Sequence, residues 1–158
     1  GATKIILACN TSHYFLPDIY RNVPEAEGKI ISIIDACCME IAAASERHVS
    51  LIASEGTIQS RVFHQALQPY GIEVSVPVAE QYLKQRELIE AVKQNRITGE
   101  TLDAFVQMIR SFSGDALILG CTEFPVLFSK LPEGALNGIR IYDPLRSAIK
   151  VLWKTCKY

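Results

Sequence analysis

The chain has 158 residues, 49% of them hydrophobic, and its 16 basic and 17 acidic residues leave a net charge of −1. That is room for one domain or two small lobes around a buried core, and a charge balance spread along the chain argues against nucleic acid or a membrane surface as the main partner. No apolar stretch approaches the ~20 residues needed to span a bilayer, so a small-molecule ligand fits best.

In chain order, residues 3–8 predict a first strand, and the loop from Cys9 to His13 leads into a short helix over 17–22, where Pro17 suits a first turn. Residues 29–34 form a second apolar run. Asp35 is placed to cap a helix over 36–47 with Ala36, Met39, Ala43 and Glu46 at helical spacing. A third strand covers 49–53. Thr57 then caps a helix to about residue 68 with Ile58, Val62 and Ala66 on one face, and a fourth strand follows at 72–76. After Pro77, the residues Tyr82, Leu83, Leu88, Ile89 and Val92 suggest an amphipathic helix. Thr98 with Thr101 starts another, running to about residue 112, and Ser113, Gly114 and Asp115 turn the chain into a strand at 116–120. A short helix over 125–130, a last strand over 139–142 and a terminal helix capped by Asp143 and Pro144 complete the reading. The alternation predicts an α/β fold with mainly parallel sheets and flanking helices.

Two of these strands are alike. Ile5, Ile6, Leu7, Ala8 and Leu117, Ile118, Leu119, Gly120 are apolar runs of the kind a parallel strand buried on both faces requires, and each ends in a cysteine, Cys9 or Cys121, followed closely by threonine. Open α/β sheets place ligand sites at strand carboxyl ends, where a following helix welcomes anions and should ease thiol ionisation. Paired thiols suit proton transfer at a carbon next to a carboxylate: one thiolate removes the Cα proton and the other thiol returns one to the opposite face, each within ~3 to 4 Å of its target. Asn10, Thr11, Thr57 and Thr122 supply donors for the carboxylate. Such chemistry needs no cofactor.

The remaining residues read more plainly. Cys37 and Cys38 are adjacent within a helix, with core packing expected of one, and Cys156 lies near the end of the chain; five unevenly spaced cysteines without a secretory signal predict free thiols in the cytoplasm. Histidines 13, 48 and 64 share no ligand spacing with the thiols, so no metal is expected. For His13, two readings stand: tuning of Cys9, or a bond to nearby backbone. Glu55-Gly56 reads as a turn and Thr57 as a cap, with ligand contact as an added role.

ACNTSH at 8–13 and GCTEFP at 120–125 resemble the two signature motifs of the aspartate/glutamate racemase family, which work without pyridoxal phosphate, and IASEGTIQSRVF at 52–63 is similar to a third. The resemblance covers nearly the whole chain. It implies two pseudo-symmetric α/β lobes with one catalytic cysteine from each, Cys9 and Cys121, and substrate contacts from Asn10, Thr11, Thr57 and Thr122. Glu123, after the second Cys-Thr pair, favours the aspartate branch, where glutamate racemases tend to have histidine. Lys93 resembles a lysine that relatives carry near the active site, with a solvated helix lysine as the alternative. Ser54 and Phe63 stand where threonine and tyrosine are frequent.

Relatives usually place a glycine-rich segment and further βα units before the first motif, so the first lobe is expected to be incomplete. Residues 1–24 and 138–158 are assigned to it and residues 25–137 to the second. The resemblance thus implies a cofactor-independent racemase of a small acidic amino acid, with a homodimer as the expected assembly. The alternatives are a non-catalytic amino-acid-binding fragment, or a glutamate, broad-specificity or hydantoin racemase of the same fold.

Overall fold

Every strand pairing among the described residues is parallel, as the βα rhythm requires. The computed structural model describes residues 1–112, 114 and 116–155, with the backbone alone at Ala79. Ser113 and Asp115 of the expected turn, and Cys156, lie outside the described residues. The chain runs β1 (Ile5–Ile6), α1 (Leu16–Asn22), β2 (Ile30–Ile31), α2 (Ile33–Ala43), β3 (His48–Ala53), α3 (Glu55–Ser60), α4 (Val62–Leu67), β4 (Glu73–Ser75), α5 (Ala79–Lys93), α6 (Gly99–Arg110), β5 (Ala116–Gly120), α7 (Glu123–Phe128), β6 (Arg140–Tyr142) and α8 (Pro144–Thr155).

A four-stranded sheet in the order β4-β3-β5-β6 forms the centre, and β1 with β2 makes a separate two-stranded sheet. Side chains alternate across the larger sheet. Val49, Leu51, Ala53, Ala116 and Ile118 join a core with α2, α4 and α8, while Ile52, Leu117 and Leu119 join another with α5, α6 and α7. Covering on both faces is why these strands read as unbroken apolar runs. The strand at 140–142, grouped by the sequence with the first lobe, is bonded to β5 in the larger sheet, and Ile30–Ile31, grouped with the second lobe, pairs with β1. Apolar runs specify strands but carry no label for their partners; the crossover helices choose those.

Several expected boundaries move for local reasons. The first strand is two residues long, and Ile5 and Ala8 are exposed, because the sheet found there has only β2 beside it. Ser32, not Asp35, caps α2: its Oγ accepts from the Asp35 backbone N–H at 3.1 Å. The helix therefore starts three residues early and buries Ile33, Ile34, Cys37, Cys38 and Ile41, leaving Met39 exposed. Both Cys37 and Cys38 are in the core. The single helix expected from Thr57 to residue 68 is two, capped by Ser54 and broken at Arg61, whose left-handed φ of 55° no glycine announced. Thr98 and Thr101 form the expected reciprocal cap of α6.

One polar cluster joins α2's end to β6. Buried Glu46 accepts from the Tyr142 hydroxyl at 2.7 Å and from Arg140 Nε at 2.9 Å. Arg140 is largely exposed, so the ion pair itself counts for little, and the tyrosine bond counts for more. Glu46→Ala should cost about 1–3 kcal/mol by leaving the buried phenol unpartnered, and Glu46→Gln less, since its amide oxygen still accepts. Urea denaturation midpoints at unchanged m would check the order.

Candidate active site

The site is built at the carboxyl ends of β3 and β5, which lie side by side with Ala53 in register with Gly120. Gly120 is required there. A Cβ on it would sit 2.6 Å from Leu51 Cδ1, 2.9 Å from Ala53 Cβ and 3.1 Å from the Ile52 carbonyl oxygen, distances that real Cβ atoms do not tolerate together. The close approach delivers Cys121, half-buried, directly after the central strand.

Cys121 Sγ donates to Glu123 Oε2 at 2.9 Å, and Thr122 Oγ1 donates to the same oxygen at 3.3 Å. Burial, and then the Glu123 carboxylate, push the Cys121 thiol up to about 12. The sequence predicted easier ionisation at this strand end. The structure reverses that expectation, because α7 has only six residues and a carboxylate stands where an anion would have to form. Cys121 is therefore held as a proton donor with its acceptor in place.

The first cysteine segment is arranged differently. Cys9 is exposed, and Asn10 is buried with its Oδ1 meeting no donor among the described residues. His13 Nδ1 lies 2.9 Å from the Cys9 carbonyl oxygen, and its Nε2 accepts from the Ile33 backbone N–H at 3.1 Å. An Nε2 that accepts must be unprotonated, so the neutral ring carries its proton on Nδ1 and donates to Cys9 O. Of the two readings of His13, the backbone bond is the one found. It pins the cysteine loop to the start of α2.

Desolvation outweighs the Cys9 carbonyl and Asp35, so the His13 pKa is lowered from 6.5. A histidine whose folded pKa is depressed stabilises fully above its unfolded value, and that stabilisation is lost as pH falls through the folded pKa. The thermal midpoint should therefore drop between about pH 7 and pH 5, and less steeply in His13→Gln. His64, also lowered by burial and by Arg61, acts in the same direction, so the difference between the two slopes isolates His13.

Thr11, Ser54 and Thr57 then join the two segments. Thr11 Oγ1 lies 2.8 Å from Thr57 Oγ1 and 3.2 Å from Ser54 Oγ, and the last two are 3.1 Å apart. Gly56 allows this contact, since a Cβ there would come 3.1 Å from Thr11 Cγ2. The loop after β1 is thus docked on the turn after β3, beside the strand that carries Cys121. Thr57 is buried and engaged in this hydroxyl trio rather than acting as the cap, which Ser54 supplies.

Lys93, near the end of α5, donates to Glu90 at 3.3 Å. That bond raises its pKa, and the Glu123 and Cys121 charges add to the effect. Lys93 is solvent-exposed, and its positive charge acts on the Cys121 thiol, opposing part of the upward shift. Lys93 also lines a cavity of about 260 Å³ with Ser54, Gly56, Gln85 and Arg86. Among the described residues no group of three or more histidine, cysteine, aspartate and glutamate side chains is arranged to hold a metal ion, and no helix is long and apolar enough to cross a membrane.

The family model for Asp/Glu/Hydantoin racemase matches residues 1–152. The chain belongs to that family. Among curated relatives it is 30% identical to a glutamate racemase of Koribacter versatilis over 98% of this chain and 53% of that protein. It is likewise 30% identical to a glutamate racemase of Aquifex aeolicus over 96% of this chain and 58% of that protein. The chain thus spans about half the length of these relatives. Among solved structures, an aspartate racemase of Picrophilus torridus superposes with a TM-score of 0.79 at 25% identity, covering 98% of this chain and 62% of that one. A glutamate racemase of Francisella tularensis in complex with D-glutamate superposes at 0.73 and 22% identity over 97% and 56%, a likeness of fold.

Within this racemase-family chain, the sequence reading passed over Gln85. It is a buried amide on α5 whose Oε1 accepts from the Ala53 backbone N–H at 2.9 Å. The signal was present: Tyr82, Gln85, Leu88, Ile89 and Val92 form one helical stripe, with glutamine at a core position, while Leu83, expected on that stripe, is exposed. Ser54 was noted only as a departure from threonine, yet it caps α3 and completes the hydroxyl trio.

Proposed function

We propose that this chain carries the two-thiol centre of a cofactor-independent racemase of an acidic amino acid. The observation that supports this most is the Cys121–Glu123 pair after a fully buried strand, in a chain of the Asp/Glu/Hydantoin racemase family. Cys9 as thiolate takes the Cα proton from one face, and Cys121 gives its thiol proton to the other. In the reverse direction the Cys121 thiolate left by that donation takes the Cα proton and Cys9, now the thiol, returns its own, while Glu123 serves to hold the Cys121 thiol in place. The Asn10 Oδ1, without a donor among the described residues, is an acceptor suited to the substrate ammonium, and hydroxyls of Thr11, Thr57 and Thr122 suit the α-carboxylate as charge builds on it. The positive charge of Lys93 favours the anionic intermediate.

Glu123 in place of histidine supports aspartate as the substrate, and the Picrophilus torridus neighbour bears that name. Glutamate is the second reading, because the curated relatives are glutamate racemases. Loss of the Cα–H signal in D2O, followed by proton NMR for L-aspartate and L-glutamate in parallel, tests both: the faster substrate names the branch. If neither exchanges and both nevertheless bind, the chain is an amino-acid-binding module and the racemase reading falls. Among the described residues Cys9, Cys37, Cys38 and Cys121 are free thiols, the middle two deeply buried, which supports a reducing cytoplasmic setting. A homodimer fits the exposed Tyr14, Phe15 and Val23 near the first cysteine, and sedimentation equilibrium would test it.

A further inference from the structure

A buried glutamine beside the site leaves one donor without a partner. Gln85 is 2% exposed; its Oε1 is committed to the Ala53 N–H, and its Nε2 is buried and meets no acceptor among the described residues. Turning the amide over would set two donors against each other at Ala53, so the orientation is dictated by the backbone. A buried amide donor left unmatched is costly, and Gln85 lines the 260 Å³ cavity described above. The rim of that cavity is charged: Arg86 pairs with Glu55 at 2.5 Å and Lys93 with Glu90 at 3.3 Å. Its inner wall continues through Ser54 to the hydroxyl trio, and through Lys93 toward Cys121.

We propose that this cavity is the specificity subsite, in which Gln85 Nε2 donates to the side-chain carboxylate of the acidic substrate while Lys93 and Arg86 stand at its mouth. The assignment rests on the racemase reading. An amide donor cannot accept an ammonium group, so the zwitterion enters with its side-chain carboxylate toward α5. Its Cα then stays on the β3–β5 side, by the thiol. Gln85 is in this view a substrate-contacting residue, and its bond to Ala53 also holds the end of β3 in place.

Succinate, a diacid without an amino group, is the probe. In the unmodified protein it should shift the Gln85 side-chain amide protons in ¹⁵N-resolved NMR spectra. Gln85→Glu keeps an oxygen for the Ala53 N–H, replaces the donor by a like charge, and should weaken succinate binding at least ~10-fold while the Ala53 amide stays protected from exchange. A Gln85 amide that succinate leaves unmoved, or a folded Gln85→Glu protein that binds it equally well, would overturn the proposal. Should melting show that the variant has lost its fold, the amide shifts of the unmodified protein decide alone. Succinate shifts without Cα–H exchange of aspartate or glutamate would instead retain the subsite and sink the racemase reading.

Discussion

Alanine in place of Cys121 should lower Cα–H exchange of the preferred substrate by at least ~10²- to 10⁴-fold, the range a positioned acid–base group contributes. Cys9→Ala should do the same. Retention of full exchange by either variant would refute the two-base assignment. The companion variant, Glu123→Gln, separates the thiol from its partner. Below about pH 12 the native Cys121 is a thiol, so its alkylation should climb across the accessible range as pH rises. Removing the carboxylate removes one cause of that elevation and should shift the alkylation curve to lower pH, though burial, the larger cause, keeps it above the ordinary thiol value. Exchange should nonetheless fall, because Cys121 loses the carboxylate that holds its thiol in place. Iodoacetamide labelling in a Cys9→Ala background reads the first effect, and NMR exchange in the otherwise native protein reads the second. Faster labelling with undiminished exchange would show that Glu123 is only a neighbour.

The second large effect is expected at Gly120. Gly120→Ala should cost about 1–3 kcal/mol, because a methyl must enter space already occupied by Leu51, Ala53 and the Ile52 carbonyl between the two central strands. For a domain of this size that lowers the melting midpoint by roughly 2–4 °C per kcal/mol. Gly120→Val adds two more carbons to the same clash and should abolish folding or shift the midpoint by more than ~10 °C. The strand carries Cys121 at its end, so a folded Gly120→Ala protein should also exchange Cα–H more slowly than its stability alone explains. An unchanged midpoint in Gly120→Ala would mean that β3 and β5 are not packed as closely as described.

Much of the fold was legible because its central strands are covered on both faces. A strand such as β5 has no wet side, so Leu117, Ile118 and Leu119 are all apolar and the run announces itself. The caps were readable where the side-chain chemistry is local, as at Thr98 with Thr101 and at Asp143, whose Oδ1 accepts from the Leu145 N–H at 3.0 Å. Reading failed where the chain breaks rules without a marker. Arg61 takes a left-handed conformation and splits a helix, and Ser32 competes with Asp35 for the cap and wins by one turn. In the candidate site, the cysteines and threonines stood out through their repeated motif. Gln85 did not, because one polar residue on an apolar stripe resembles an ordinary interruption until its burial is known.

The sequence alone determined which residues form buried parallel strands, that two of them end in cysteine, and that the chain resembles the racemase family it proves to join. These are properties of short contiguous segments, where periodicity and side-chain type act locally. Only the tertiary structure decided that Cys121 is held protonated and what company both thiols keep. Cys121 was expected to ionise readily from its place after a strand, and it is instead held as a thiol, since desolvation and a carboxylate 2.9 Å away come from packing and side-chain placement. His13 was left between two roles, and the Ile33 N–H, twenty residues on, chose its tautomer. Burial and long-range hydrogen bonds such as Ile33 N–H to His13 depend on what the fold brings alongside a residue, and even for Glu123, two residues from Cys121, the sequence names the neighbour without placing its carboxylate on the thiol.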